Sequence, residues 1–397
     1  MTKPITYFTP TKVIIEVDAE CLSGEMLKQF GAKKVLIHYG SERIVENGLL
    51  NTITDSLKKY DLPFVTLGGV VPNPRLSKVY EGIELCKAEN VDFILAVGGG
   101  SVIDSAKAIG LGLCYDGDVW DFYDNKAVPQ ASCPIACVLT LPAAGSEMSN
   151  SSVITKMDGL LKRGTKSEQF ICKFALINPA HTLSLPENQT VNGVVDILMH
   201  TMERYFHADE SLEITDRIAE GLLLSVISTA RNLKLNPNDL RARTDLIWAG
   251  SLSHNGLTAC GTAGGDWSTH KLEHELSGLF DVAHGAGLST LWASWARFVQ
   301  PAMVERFAQF AIRVMEVEPC ETAFETGTLG INAMEAFFNE IGSPTNITAL
   351  LGRKVTDAEI SEMVEKCTLF GTFTPGYSRK LAANDIATIY QMANELK

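Results

Sequence analysis

Short apolar runs alternate with stretches of helical period through the first half of the chain. Four runs, at residues 34–38, 64–67, 92–97 and 134–139, have the composition of β-strands, and a strand-like run at residues 12–15 precedes them. Strands that alternate with amphipathic helices are typical of a parallel, doubly wound sheet. The pattern therefore predicts an α/β fold for this part of the chain.

Long stretches of helical period replace the strands after Pro186. They cover residues 189–207, 212–235, 240–254, 303–315, 322–341 and 358–369. At 397 residues the chain also exceeds the size at which one hydrophobic core keeps growing, so two domains are expected. We predict an α/β domain over residues 1–185 and an all-α domain over residues 186–397.

The amino-acid composition limits the kinds of molecule that this protein is expected to bind. The formal net charge is −13 and there is no run rich in Lys or Arg, which argues against nucleic acid and against an anionic membrane surface. No apolar run reaches the length of a membrane span, and the nine cysteines show no CxxC spacing. These features predict a cytoplasmic protein that acts on small molecules.

Asp196 and His200 are candidate ligands for a metal ion. Because they are four residues apart in a stretch of helical period, they project from one face of the predicted helix, one turn apart. One helix can therefore offer two ligands.

His270 and His284 extend this candidate set, with His274 beside them. An unbroken helix would hold His270 and His284 about 21 Å apart, whereas ligands of one ion have donor atoms within roughly 3.5 Å of each other. The chain must therefore fold back, and Gly278 is the expected break, while Gly285 lets the backbone approach the site closely. One aspartate with three imidazoles suits Fe²⁺ or Zn²⁺. Spacing does not decide which histidine is left out, and ordinary core or surface histidines are the alternative.

A glycine turn follows the strand at residues 92–97. With the strand before it, the segment Gly98–Lys107 forms a unit of strand, glycine turn and helix, an arrangement that brings a phosphate to the amides at a helix N-terminus. It matches neither GxGxxG nor a P-loop. The alternative is a tight turn in which Ser101 and Asp104 form a capping box.

A second glycine turn follows the strand at residues 34–38. An acidic residue here would bond the 2′-hydroxyl of an NAD ribose, but the chain has Gly40, which leaves room for a 2′-phosphate, with Ser41 and Arg43 as donors. An ordinary strand-to-helix turn is the alternative. The small-residue loop at residues 140–149 would also permit close contact with a nucleotide.

These segments together resemble the iron-containing (group III) alcohol dehydrogenases, within them the NADPH-dependent butanol dehydrogenase and aldehyde reductase branch. The resemblance spans nearly the full chain. It is carried by GGGSVID at residues 98–104, PNP at 72–74, TLP at 140–142, NGVVD at 192–196 with His200, and DWSTHKLEHEL at 266–276.

The resemblance implies a Rossmann-like nucleotide-binding domain followed by a helical metal-binding domain, and a homodimer. It places the metal ligands on Asp196, His200, His270 and His284, and His274 near the nicotinamide. The implied cofactor positions are Gly40, Ser41, Asn73, Gly99, Gly100, Ser101, Asp104, Thr140, Ser149, Lys162 and His181.

The sequence therefore predicts an enzyme that transfers hydride between NADP(H) and a small aliphatic alcohol or aldehyde, such as butanol or butanal, with one divalent metal ion. In the predicted reaction the ion polarises the carbonyl, and a proton reaches the oxygen through His274, a ribose hydroxyl or water. Two alternatives are a dehydroquinate synthase-like lyase and a nucleotide-binding module without catalysis. The lyase would need basic residues for an acidic substrate, and these are sparse around His270 and His284.

Overall fold

The computed structural model describes residues 3–210 and 212–395, which form two compact units. One unit comprises residues 8–185. The other comprises residues 186–395 without residue 211, together with residues 3–7. The sequence division had grouped residues 3–7 with the α/β half, whereas the Lys3 amide donates to the Gly261 carbonyl at 3.1 Å.

The α/β unit contains a parallel sheet of six strands and a separate hairpin. The strands are β1 (Lys12–Ile15), β2 (Val35–Tyr39), β3 (Phe64–Leu67), β4 (Phe93–Gly98), β5 (Ile135–Leu139) and β8 (Phe174–Ile177), with the hairpin β6 (Ser151–Lys156) and β7 (Leu161–Lys166). The order in the sheet is β1-β8-β5-β4-β2-β3. All four predicted strands are present. Strand β8 was missed because the 3₁₀ segment Pro179–Ser184 follows it instead of a helix.

The order of the strands creates a switch point between β2 and β4. The chain passes from β2 to β3 on one side and then returns to place β4 on the other side of β2. Ligands of open α/β sheets bind at the carboxyl ends of strands where the order reverses in this way. The turns that begin at Gly40 and Gly98 both lie at this position.

Helices of the α/β unit are α1 (Ser23–Gln29), α2 (Arg43–Glu46), α3 (Leu49–Lys59), α4 (Leu76–Glu89), α5 (Gly100–Leu113) and α6 (Trp120–Tyr123). Those of the second unit are α7 (Glu187–Tyr205), α8 (Glu213–Leu235), α9 (Leu240–His254), α10 (Ser268–Phe280), α11 (His284–Val299), α12 (Val304–Arg313), α13 (Ala323–Glu340), α14 (Ile347–Leu351), α15 (Asp357–Cys367) and α16 (Ala383–Asn394).

The second unit has no strand among its described residues, so the predicted fold class is confirmed. Each of the six predicted helical stretches coincides with a helix, but α10, α11, α14 and α16 were not among them. Helices α7, α10 and α11 contribute to one apolar core, in which Trp292 and Trp295 are buried. Within the described part of the chain, every helix is too short or too polar to cross a lipid bilayer.

Candidate metal centre and nucleotide-binding edge

Helix α7 carries Asp196 and His200 on one buried face. Both side chains are almost completely shielded from solvent, and Asp196 Oδ1 lies 3.4 Å from His200 Nδ1. This is the geometry expected of residues one helical turn apart. The local prediction for this pair is therefore confirmed.

Helices α10 and α11 bring His270 and His284 to the same carboxylate. The Nε2 atoms of His270 and His284 lie 4.0 and 3.8 Å from Asp196 Oδ1. One ligand atom from each of these three residues lies within 4.8 Å of the others. The chain folds back as predicted, but Gly278 lies inside α10 and the helix ends instead at Asp281, whose φ is 52°.

His200 stands beside this group of three. Its Nδ1 and the Nε2 of His270 are buried without a hydrogen-bond partner in the part of the chain that the structure describes. Burial, with smaller contributions from His254 and His270, lowers the pKa of His200 well below its ordinary value. Neutral imidazoles whose buried nitrogen lone pairs converge beside a carboxylate fit a divalent cation.

Two buried carboxylates orient His270 and His284 by contacting Nδ1, the ring nitrogen that faces away from Asp196. Glu203 Oε1 lies 2.9 Å from His270 Nδ1 and also accepts the His270 amide. The Glu273 carboxylate contacts Nδ1 of His284. Because a carboxylate only accepts, each Nδ1 must donate, and each Nε2 is left with its lone pair toward Asp196. Such carboxylate–histidine pairs are typical of metal sites.

Sequence reasoning did not identify Glu203 or Glu273 as part of the site. A signal existed for Glu203, because it follows Asp196 by seven residues and therefore lies on the same helix face. Glu273 gave no comparable signal, because its partner His284 is on the next helix.

His254, at the end of α9, is a further histidine that spacing could not reveal. Its ring centroid lies 3.9 Å from that of His200. Arg204 Nη2 lies 3.2 Å from His254 Nδ1, and the same guanidinium donates to the His200 carbonyl at 2.6 Å. Since arginine only donates, His254 Nδ1 accepts, and this nitrogen is not available to a metal.

His274 is buried on α10, one turn after His270. Its ring centroid is 6.0 Å from that of His284, and it is not in the group of three whose ligand atoms converge. The structure therefore favours His270 over His274 as the α10 member of the donor set.

In the α/β unit, helix α5 begins directly at the glycine turn. Gly99 is the N-cap and no side chain in the described chain caps the helix, so the proposed Ser101 and Asp104 capping box is absent. Asp104 instead accepts from Ser146 Oγ at 2.6 Å and from the Val153 amide at 2.9 Å. The first amides of α5 thus remain without a side-chain cap, as an anion site requires.

Gly99 and Gly100 also determine how closely the loop at residues 140–149 approaches. A Cβ at Gly99 would lie 3.2 Å from the Leu141 side chain, and one at Gly100 would lie 3.1 Å from Ala144. Thr140 continues the end of the sheet, because its amide donates to the Gly98 carbonyl at 3.1 Å. The loop therefore packs against the turn at the carboxyl edge of β4 and β5.

The remaining predicted cofactor residues lie on segments around this edge. Asn73 follows β3 in a left-handed conformation, and Lys162 pairs in the hairpin with Thr155, whose amide donates to the Pro74 carbonyl at 2.8 Å. His181 follows β8, and its Nε2 lies 3.1 Å from Glu20 Oε1.

Ser149 and Arg43 also have partners within the unit. The Ser149 side chain is buried, with its hydroxyl near Lys107, and Arg43 donates to the Ser184 carbonyl. Ser41 is exposed at the start of the segment that contains α2.

Comparison with known proteins identifies the family. Residues 10–179 match the family described as iron-containing alcohol dehydrogenase, and residues 190–394 match its C-terminal domain. The chain belongs to the iron-containing alcohol dehydrogenase family. It is an alcohol or aldehyde oxidoreductase, and the family implies a nicotinamide cofactor and one metal ion.

Relatives with curated descriptions cover most of the chain. A probable NADH-dependent butanol dehydrogenase 1 of Bacillus subtilis is 38% identical over 97% of this chain and 98% of its own. The NADPH-dependent aldehyde reductase YqhD of Escherichia coli is 31% identical over 86% of this chain and 87% of its own. The crystal structure of the NADH-dependent butanol dehydrogenase A of Thermotoga maritima has a TM-score of 0.95 and 35% identity, with 99% of each chain covered.

Proposed function

We propose that this protein interconverts small primary aliphatic alcohols and aldehydes with NADP(H) and one divalent metal ion, Fe²⁺ or Zn²⁺. The proposed ligands are Asp196, His200, His270 and His284. The single observation that carries the proposal is the convergence of ligand atoms from Asp196, His270 and His284, with His200 Nδ1 3.4 Å from Asp196 Oδ1. Carboxylates contact the other ring nitrogen of His270 and of His284. When bound, the ion supplies Lewis acidity and the nicotinamide supplies or accepts a hydride.

The protein's own residues hold the proposed ligands and orient their rings. Glu203 and Glu273 fix the ring orientation and tautomer of His270 and His284. Asp196, His200 and His270 are buried, and the low dielectric around them strengthens the electrostatic interactions that they make. Because these side chains are already oriented, they need not rearrange when the substrate reacts.

We assign His274 to proton transfer at the substrate oxygen. It is buried one turn from His270. The ring nitrogens of His200, His270 and His284 lie 3.4, 4.0 and 3.8 Å from Asp196 Oδ1, so we assign these three histidines, and not His274, as ligands. A histidine in such a position can hold or move a proton near neutral pH.

The NADP(H) assignment depends on Gly40. The named relatives include both NADH- and NADPH-dependent enzymes, so they do not decide the cofactor. A Cβ at Gly40 would meet nothing closer than the Val70 carbonyl at 3.4 Å, so there is space at the end of β2 and no carboxylate at this position. A 2′-phosphate would meet no like charge from this residue.

Butanol and butanal are proposed as substrates because relatives that cover nearly the whole chain are named butanol dehydrogenases. The aldehyde reductase among the relatives supports the reductive direction as well. The resemblance to the family also supports a homodimer in the cytoplasm. The homodimer and the cytoplasmic location are predictions, and sedimentation velocity would measure the oligomeric state.

The test is NADPH oxidation with butanal before and after removal of metal by a chelator. Turnover should disappear with the metal and return when Fe²⁺ or Zn²⁺ is added back. Asp196→Ala should lack turnover while retaining NADPH binding, because residue 196 is outside the α/β unit. Asp245→Ala, at an exposed position on α9, is the matched control. Turnover that survives complete metal removal would contradict the proposal.

A further inference from the structure

Lys107 is a fully buried lysine whose ammonium group lies in a cage of oxygen atoms. From helix α5, its Nζ reaches the carbonyls of Ser146, Ser149 and Ser151 at 2.7, 3.0 and 2.8 Å. The hydroxyls of Ser146 and Ser149 lie 3.1 and 3.2 Å from the same nitrogen. Phe170 covers this group, with its ring centroid 5.4 Å from Nζ.

Five oxygens exceed what three N–H donors can satisfy one by one. A set of carbonyl and hydroxyl oxygens around one positive centre is instead the arrangement that replaces the hydration shell of a monovalent cation. The oxygens belong to one short segment, residues 146–151, that crosses from the loop after β5 into strand β6.

Neighbouring carboxylates balance the positive charge of Lys107. Burial lowers the pKa of Lys107, and the carboxylates of Asp104 and Glu147 oppose this effect. Ser146 joins the two charges, because its hydroxyl donates to Asp104 at 2.6 Å and presents its lone pairs to Lys107. A buried cation is costly without such partners, so this position is specifically built for a positive charge.

The ammonium group of Lys107 also stabilises residues 146–151. Three carbonyl dipoles point at one site, and without a positive centre they would repel each other and be left poorly satisfied. The other end of the same loop packs on Gly99 and Gly100 at the glycine turn. Lys107 therefore fixes the C-terminal part of the loop, residues 146–151, whose first member Ser146 also lies beside Gly100.

We propose that Lys107 is a positioning residue that acts as a built-in monovalent cation and holds residues 140–151 in the form that binds the nucleotide. The inference rests on the proposed function and on the cofactor positions Thr140 and Ser149 that the sequence predicts. The expected consequence is specific: an enzyme without the ammonium group becomes dependent on added K⁺ or NH₄⁺.

Lys107→Met is the test, because methionine retains a stem of similar length and lacks only the ammonium group. In buffers whose only cation is tetramethylammonium, NADPH affinity should fall at least about tenfold, the loss expected of one or two charged hydrogen bonds. K⁺ or NH₄⁺ at equal ionic strength should recover most of this affinity. The native protein and Lys126→Met, at an exposed lysine of the same unit, should not respond to the change of cation.

The outcomes separate this inference from the proposed function. A native protein that neither binds NADPH nor reduces butanal would contradict the proposed function. A native protein that does both, with a folded Lys107→Met that binds NADPH equally well in every buffer, would overturn only the role of Lys107. If Lys107→Met does not fold, its soluble yield on refolding should rise with K⁺ or NH₄⁺ over tetramethylammonium, and an unchanged yield overturns the inference.

Discussion

Gly285 packs directly against the backbone of Asn192, which brings α11 into close contact with α7. A Cβ at residue 285 would overlap the Asn192 carbonyl oxygen and would lie 2.7 and 2.8 Å from its Cα and carbonyl carbon. Since α7 carries Asp196 and α11 begins at His284, this contact sets the separation between two proposed ligands.

Gly285→Ala should therefore force the two helices apart. We expect a loss of about 1–3 kcal/mol in the free energy of unfolding, typical of overpacking, and a lower metal content. Gly221→Ala is the matched control, because a Cβ there meets nothing within 4 Å on α8 and should add up to about 1 kcal/mol of helix stability. Equal metal content in the two variants would show that the contact does not position the ligands.

His274 and His284 should respond differently to alanine. His284→Ala removes a proposed ligand, so metal content should fall. His274→Ala should retain the metal while kcat falls by about 100-fold or more, the usual contribution of a proton-transfer group. Metal analysis beside kinetics distinguishes the two, and the reverse pattern would mean that the ligand was assigned to the wrong histidine.

Glu203→Gln should weaken metal binding while leaving all four proposed ligands in place. An amide is a poorer acceptor than a carboxylate for the His270 Nδ1 proton, and such changes typically cost 10- to 100-fold in metal affinity, which corresponds to about 1–3 kcal/mol. Competition with a chromogenic chelator measures the affinity. Glu305→Gln, at an exposed position on α12, should leave it unchanged.

Gly40→Asp should reverse the cofactor preference. Two like charges about 4 Å apart repel by about 1 kcal/mol in water, and by more in a partly desolvated site, so NADPH should be disfavoured. Gly40→Asn is the control, because asparagine has the shape of aspartate without its charge, and a Cβ at this position makes only ordinary contacts, 3.4 Å from the Val70 carbonyl oxygen and 3.5 Å from the Val102 side chain. The measurement is the ratio of kcat/KM for NADPH to that for NADH. A native ratio already in favour of NADH would end the NADP assignment.

His38 should make the protein less stable in acid. Burial, with a smaller contribution from the charge of Lys78, lowers the pKa of His38 from its ordinary 6.5 to about 4, although the hydrogen bond to the Leu67 carbonyl opposes this shift. Between pH 6.5 and 4 the unfolded chain binds the additional proton, so stability is fully present above pH 6.5 and is lost as the pH falls. The loss should reach about 3 kcal/mol.

Urea unfolding of the native protein and His38→Gln at a series of pH values measures this contribution. The native protein should lose more stability than the variant between pH 7 and 4, since the other titrating groups are common to both. Parallel pH profiles would show that His38 is not the responsible group.

Local periodicity was sufficient for a large part of the fold. The alternation of apolar runs and helical stretches predicted four strands of the sheet and six helices of the second unit, and the four-residue spacing placed Asp196 and His200 on one face. Each of these inferences depends on residues within one or two turns of each other, where backbone geometry fixes side-chain direction.

Only tertiary packing decided which side chains meet across elements. The pairing of Glu203 with His270 spans 67 residues, and the cage around Lys107 draws oxygens from a segment about 40 residues away, with sequence separations of 39, 42 and 44. The sequence alone could not choose between His270 and His274, because both satisfy the same helical period. The structure distinguishes them because the distance from each ring to Asp196 depends on how α7, α10 and α11 pack, and no local pattern encodes that distance.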